Sequence, residues 1–570
     1  MRNTCLAILL CFTCLLTSAQ IVQLQNVTVI DVNAGKAMPG YTVEINNGII
    51  TKVAPAKNVK AIAGGNVIDG SGKFLMPGLA DAHIHFFQSG SLYTRPDGLD
   101  LRKIHPYDLE IKFAKNNATD YLQRYLRLGI TSVVDVGGPM ANFNVRDSIA
   151  KTIVAPNVLV TGPLFSMVDR PQLGDDRPII KITSKATADS LMQHMLLSKP
   201  DFIKIWYIAG ANMPAEKNYD LVKYIADQTH KNGLKLAVHA TEIYTASLAI
   251  DAGADILVHS VDDSLLPDAF IKKMLARNVT LIPTLIVGGN YYKVFSGRLA
   301  NHPQDLAWAN AFTYGSLTDP ESMPAEKMPA ILKFLRSAGI PADVAKSDSI
   351  MALNLARLVK AGVNIATGTD AGNIGTQHAS SYLQEQEAMQ AAGMPLAAIL
   401  KASTINVAKA FGKASLWGSI ETGKQADLLL LDRNPLHSLK NLSSIALVMK
   451  DGKVLMPGEI LQETPEAIVQ RQLNAYNARD IDAFMNTYAD DIKLYEYPNK
   501  LLSEGKDAMR KNYEGFFKNT SNLYCEIENR IVQGNTVIDK EKVRAGKATL
   551  NAVAVYEVAD GKIKKVTFIN

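Results

Sequence analysis

Leu75-Met-Pro-Gly-Leu-Ala-Asp-Ala-His-Ile-His85 is an apolar, strand-forming run that ends in two imidazoles. Side chains of a strand alternate with period two, so His83 and His85 point to the same side, and Asp81 shares their parity. Two imidazoles converging on one point suit a divalent metal such as zinc. A pair of ordinary histidines would have the same spelling, so the motif needs support from elsewhere in the chain.

That support lies downstream. His239 ends the run Leu236-Ala-Val-His239, His259 ends Ile256-Leu-Val-His259, and Asp370 ends Ile365-Ala-Thr-Gly-Thr-Asp370. Eight apolar, β-branched runs are predicted as strands, at residues 75–85, 131–136, 157–161, 202–206, 235–239, 255–259, 280–284 and 364–370. Helical patterns separate most of them, for example at 121–128, 219–232 and 350–361. Alternation of this kind predicts a parallel sheet, and eight units in about 340 residues fit an α/β fold of the (β/α)8 TIM-barrel type over 76–415. A doubly wound open sheet is the rival. Chemistry gathered at the C-terminal ends of strands favours the barrel, because that is where such barrels work.

Lys204 lies inside the apolar strand Asp201-Phe-Ile-Lys-Ile-Trp206. An ammonium cannot ligate a metal, and burying one without a partner is costly. Either an acid in the barrel pairs with it, or its amine carries carbon dioxide as a carbamate, whose two oxygens can bridge two cations. His378 follows Asp370 by eight residues and would contact substrate or stabilise its loop. Tyr207, and Tyr291 or Tyr292 in a long connection at 284–350, are candidates for shaping a pocket. A connection of that length is expected to form a lid or specificity element.

Outside the barrel, residues 20–75 and 416–458 are β-rich, with turns at Asn46-Asn47-Gly48 and Asp451-Gly452. Two such pieces flanking one large region are expected to pair as a small β-sandwich into which the barrel is inserted. Residues 464–570 form a third unit. Thr464-Pro465 starts a helix, two more helices follow, and then come alternating strands, an α+β order.

The first 19 residues are expected to be a cleaved signal peptide. Arg2 is the positive start, residues 5–16 are apolar except for one threonine, and Thr17-Ser18-Ala19 are small. The apolar run is shorter than the ~20 residues a bilayer requires. The mature chain is therefore expected to be exported, to the periplasm or outside the cell, with no integral membrane segment. Cys525 is then the only remaining cysteine, so no internal disulfide can form. A net charge of +5 from 60 basic and 55 acidic residues, without a like-charged block, gives no reason to expect nucleic acid as a partner.

The segments Gly78-Leu-Ala-Asp-Ala-His-Ile-His85, Asp201–Trp206, Leu236–His239, Ile256–His259 and Ala366-Thr-Gly-Thr-Asp-Ala-Gly372 resemble the amidohydrolase superfamily. They look most like its imidazolonepropionase-like and prolidase-like (Xaa-Pro or Xaa-Arg dipeptidase-type) members. Gly418-Ser-Ile-Glu-Thr-Gly-Lys-Gln-Ala-Asp427 resembles that superfamily's return to its β-domain, so the likeness covers about 21–458. It implies two divalent metal ions, zinc favoured: His83, His85 and Asp370 on one, His239 and His259 on the other, with carboxylated Lys204 bridging. It implies hydrolysis of an amide-type C–N bond in a peptide-like, N-acyl or cyclic amide substrate, with Asp370 moving the proton. Deamination, or ester or lactone hydrolysis, on the same barrel is the enzymatic alternative.

Residues 472–484, 488–491 and 505–509 resemble the SnoaL-like (nuclear-transport-factor-like) α+β cone. This implies a ligand-binding or dimer-forming unit through which the chain would self-associate. An inactive barrel carrying such a unit is the alternative of another class.

Overall fold

The computed structural model describes residues 21–62, 65–210 and 213–569. The expected signal peptide, with its three cysteines, lies outside the described residues.

The barrel closes as an eight-membered ring. Strands Leu79–Ile84, Ile130–Asp135 and Asn157–Val160 pair in parallel. So do Ile203–Trp206, Leu236–His239, Ile256–Val258 and Thr280–Ile282. The third strand resumes beyond Gly162-Pro163 as Leu164–Ser166, which pairs with Ile203–Trp206 and so joins the two groups. The eighth member, residues 364–370, is bonded on both sides without forming a regular ladder. Ala366 N donates to Leu281 O at 2.9 Å, Ala82 N to Thr367 O at 2.9 Å, and Asp370 N to His83 O at 2.8 Å. Gly368 permits this approach, since a Cβ there would stand 2.9 Å from His83 Cβ.

Helices such as Ala118–Arg127, Glu216–Lys231, Ile243–Ala252 and Tyr382–Ala391 cover the outside. Their apolar faces and the strands form one continuous core. Its scale reflects a chain that is 47% hydrophobic.

The flanking β-rich pieces form one eight-stranded sheet. Leu428–Leu431 pairs antiparallel with Phe74–Pro77, the strand leading into the barrel. Period two divides this strand between two cores: Leu428 and Leu430 enter the β-domain's own core, while Leu429 and Leu431 enter the barrel's. The sheet folds back on itself where Ile50 N donates to Lys424 O at 2.8 Å.

In the C-terminal unit, Thr464 caps helix Pro465–Ala478 by accepting from Ala467 N at 3.2 Å. Two strands not expected from sequence, Tyr488–Glu496 and Lys500–Glu504, precede the third helix, Lys506–Asn519. Exposed Asp490 and Asp491 hide the alternation of the first, and they fall where its register with Lys562–Ile569 shifts. Six strands wrap a core containing Phe484, Tyr488, Met509, Phe517 and Val537. Cys525 is buried. Among the described residues no helix is long and apolar enough to cross a membrane.

Candidate metal centre

The strand exits bring the predicted side chains to one mouth of the barrel. His83 Nε2 lies 3.2 Å from His85 Nε2, and Asp370 Oδ1 lies 3.1 Å from each. These three ligand atoms fall within 4.8 Å of one another. The His83 and His259 rings are 5.1 Å apart, and those of His259 and His239 4.5 Å, so the four imidazoles form a continuous row. His259 and Asp370 leave their strands in the left-handed region, with φ of 73° and 62°. This conformation is uncommon for residues other than glycine, and here it turns both side chains over the mouth.

Neighbouring groups set the orientation of the rings. His85 Nδ1 donates to Gly137 O at 2.7 Å, leaving its Nε2 lone pair toward Asp370. His259 Nδ1 is 2.6 Å from Thr284 Oγ1. Asp81, noted for its parity, does not join the cluster. Its Oδ1 accepts from His83 N at 3.2 Å and Thr369 N at 3.1 Å, and its Oδ2 from Thr369 Oγ1 at 2.7 Å, tying the first strand to the last.

Burial outweighs the attraction of Asp370 and lowers His83 to about 4, and it holds His239 and His259 well below the usual imidazole range. Burial alone would raise Asp370, but His83 and His85 outweigh it and hold the carboxyl well below its usual range. Neutral imidazoles and an ionised carboxylate are the protonation states a metal requires. Asp370 Oδ1, the atom that His83 Nε2 and His85 Nε2 face, is buried without a satisfied hydrogen bond. An orphaned polar atom of this kind calls for a ligand to complete it, and the imidazole and carboxylate donors fit a borderline divalent ion.

Lys204 is 2% exposed and has no ion pair or hydrogen bond among the described residues. Burial brings its amine down to about 7 against the opposing pull of Asp370. The pairing acid considered from sequence is therefore absent among the described residues.

The centre lies at the floor of a cavity of about 430 Å³. Helix Val287–Phe295, with Tyr291 and Tyr292, and the start of helix Ala342–Ala361 form part of its wall, so the long connection does border the site. Two of the candidate pocket residues are not among those that line this cavity. His378 does not line the cavity: it stacks on Tyr121 at 4.2 Å, its Nδ1 is 3.0 Å from Tyr125 Oη, and its Nε2 is 2.9 Å from Gln88 O. It braces the segment following His85. Tyr207 is buried and donates to Ala215 O at 2.7 Å. Lys204 and Trp206 share the inward parity, so the adjacent Tyr207 turns away and Trp206 lines the cavity instead.

Sequence reading missed Arg95 and Asn373, which form the wall beside Asp370. Arg95 Nη1 donates to Asn373 Oδ1 at 2.8 Å, Tyr291 Oη to the same oxygen at 2.7 Å, and Asn373 Nδ2 to Asp370 O at 3.0 Å. The one available signal was an arginine in the loop that follows the first strand.

Comparison with known proteins agrees with this fold. Residues 469–566 match the SnoaL-like domain. Imidazolonepropionase of Shouchella clausii is 35% identical over 113 residues, 19% of this chain and 25% of that protein. Ochratoxinase of Aspergillus niger is 35% identical over 100 residues, 17% and 20% respectively. The matched stretches thus span a quarter or less of those relatives. A Xaa-Pro dipeptidase solved with methionine in its active site superposes with a TM-score of 0.58 at 20% identity, covering 77% of this chain and all of that one. Molinate hydrolase superposes at 0.57 and 21% identity, covering 77% and 95%. The Amidohydrolase family matches residues 74–455, the whole barrel together with the inner strands of the β-domain, and to that family the chain belongs.

Proposed function

We propose that this protein is a hydrolase of amide-type C–N bonds in small peptide-like, N-acyl or cyclic amide substrates, working with two divalent metal ions, zinc favoured. The observation that carries the proposal is the convergence of His83, His85 and Asp370, with orphaned Asp370 Oδ1, in a cavity that also holds His239, His259 and Lys204. His83, His85 and Asp370 would hold one ion and His239 and His259 the other. Lys204 would bridge them as a carbamate. Its amine, near 7, is available to attack carbon dioxide, forming an N–C bond and releasing a proton to solvent.

Bound divalent ions would make water acidic near neutral pH and polarise the substrate carbonyl. Asp370 takes a proton from the attacking water and returns it to the leaving nitrogen. Trp206 and Tyr291 shape the walls, and Arg95, paired through Nε and Nη2 with Asp97 at 2.7 Å each, holds Asn373 in the wall beside Asp370. The leader expected over residues 1–19 makes the proposed site of action outside the cytoplasm.

Counting metals in purified protein, together with a hydrolysis screen over dipeptides, N-acyl amino acids and cyclic amides, tests the proposal. Close to two ions per chain and metal-dependent release of an amine are expected. Metal-loaded, folded protein with one ion or none would remove the two-metal centre. A screen positive only for esters or lactones would move the activity to that alternative.

A further inference from the structure

The C-terminal cone holds the barrel's long connection by its backbone. Helix Pro303–Trp308 ends at Ala309, and the last carbonyls of a helix have no partner within it. Arg471, on the cone's first helix and 8% exposed, donates from Nη1 to Leu306 O at 2.9 Å and from Nη2 to Ala309 O at 2.8 Å. Arg124 of the barrel donates to Trp308 O at 2.8 Å and Ala309 O at 3.1 Å. Glu463 joins the two guanidiniums, 2.9 Å from Arg471 Nε and 2.9 Å from Arg124 Nη2. One helix further on, Asn474 Nδ2 donates to Ala311 O at 2.7 Å and Tyr524 Oη to Thr318 O at 3.2 Å.

The other side of the same segment grips the substrate-facing loops. Thr313 Oγ1 donates to Gln377 Oε1 at 2.7 Å, and Gln377 Nε2 donates to Gly90 O at 2.8 Å. Leu92 N donates to Ser316 Oγ at 3.1 Å, and Tyr93 Oη to Asp319 Oδ2 at 2.6 Å. The loop at 88–95 carries Arg95 and the loop at 373–377 carries Asn373, the pair that forms the cavity wall beside Asp370.

We infer that the cone is a positioning element for the active-site cavity and that Arg471 is its principal positioning residue, acting through residues 306–319 on the loops at 88–95 and 373–377. Arg471 touches neither the metal ligands nor the cavity. Its fork is matched to two carbonyls and one carboxylate at once, which a lysine can satisfy only in part. Without it, Leu306 O and Ala309 O lose their donors from the cone, and the segment loosens on the side facing away from the barrel. The kinetic consequence rests on the proposed hydrolysis, whereas the structural one does not.

The test compares the full-length, zinc-loaded protein with Arg471→Met, Arg471→Lys and Asn474→Ala, and with Arg510→Ala on the exposed face of the cone as control. Amide hydrogen exchange, zinc per chain, and kcat and KM on an amide that the wild type hydrolyses are measured. In Arg471→Met, exchange should quicken at 303–319 and also at 88–95 and 373–377, with zinc unchanged. KM should rise about tenfold with a smaller change in kcat, as expected for a misplaced binding wall. Arg471→Lys should recover part of both effects, and Asn474→Ala should show a milder version if Arg471→Met folds poorly. Faster exchange confined to 303–319 overturns the coupling. So does loosening of all three segments with KM unchanged. A wild type that hydrolyses no amide counts against the proposed function alone, and the exchange comparison still decides the coupling.

Discussion

His259 and Thr284 meet across neighbouring strand exits, Nδ1 2.6 Å from Oγ1. Both residues have positive φ, 73° and 45°, so each chain turns sharply as it leaves its strand. The contact fixes the orientation of the His259 ring, which lies between those of His83 and His239. Thr284→Val should therefore weaken metal binding by about 10- to 100-fold, the usual cost of losing an orienting partner. Thr284→Ser should stay near wild type. Competition titration with a chromogenic chelator reads the difference, and equal affinities for the two variants would show that Thr284 does not orient the ring.

Asp370→Asn should keep the fold. Asparagine also tolerates the left-handed backbone that Asp370 adopts, and the orphaned Oδ1 remains an oxygen. The amide cannot accept and return a proton, so kcat/KM should fall by roughly 10³ or more. Circular dichroism with steady-state kinetics checks this. Near-normal turnover would remove Asp370 from the chemistry.

Lys204→Ala should lose metal and activity together, because it deletes the proposed bridge from a residue that is 2% exposed. Short carboxylic acids in the buffer should restore part of both. Electron density on the lysine tip in metal-loaded crystals is the direct check. A bare amine there, with two ions present, would defeat the carbamate while leaving the hydrolase reading in place.

His378 offers a test of pH dependence at a residue outside the proposed ligand set, with His85 adding to the effect of burial. Burial lowers its imidazole from 6.5 to about 4, with Gln88 O opposing. Below pH 6.5 the unfolded chain takes up a proton that the folded chain refuses, so stability falls as pH drops from about 6.5 to about 4 and is unaffected above that window. The loss attributable to this residue is on the order of 3 kcal/mol. His378→Gln should destabilise at pH 7, by removing the bonds to Tyr125 and Gln88, yet show a shallower decline between pH 6.5 and 4. Urea midpoints across that range decide it, and parallel profiles would show that His378 is not the titrating group.

Much of the fold and the ligand set was legible in the sequence because both depend on short-range periodicity. Period two puts His83 beside His85 and sets Lys204 inward. Apolar strands that end in His239, His259 or Asp370 carry their chemistry at the end where a barrel opens. The two β-rich flanks announced their pairing through their strand patterns. Tyr488–Glu496 escaped because Asp490 and Asp491 interrupt the alternation where the register shifts.

Loops follow no period, so their contents were decided only by tertiary structure. His378, eight residues past Asp370, could face either way. Packing against Tyr121 and two hydrogen bonds turn it inward as a brace. Tyr207 yielded its place to Trp206 by the parity of one residue. Arg95, Asn373 and Tyr291 are separated by up to 278 positions, and they meet because a closed barrel brings its first, seventh and last loops to one mouth. The grip of Arg471 on Leu306 and Ala309 spans more than 160 residues between two units with separate cores. Local sequence determines which residues can ligate, since strand geometry is local. Which residues surround the ligands depends on the way distant backbone carbonyls and side chains satisfy one another, and that is a property of the whole fold.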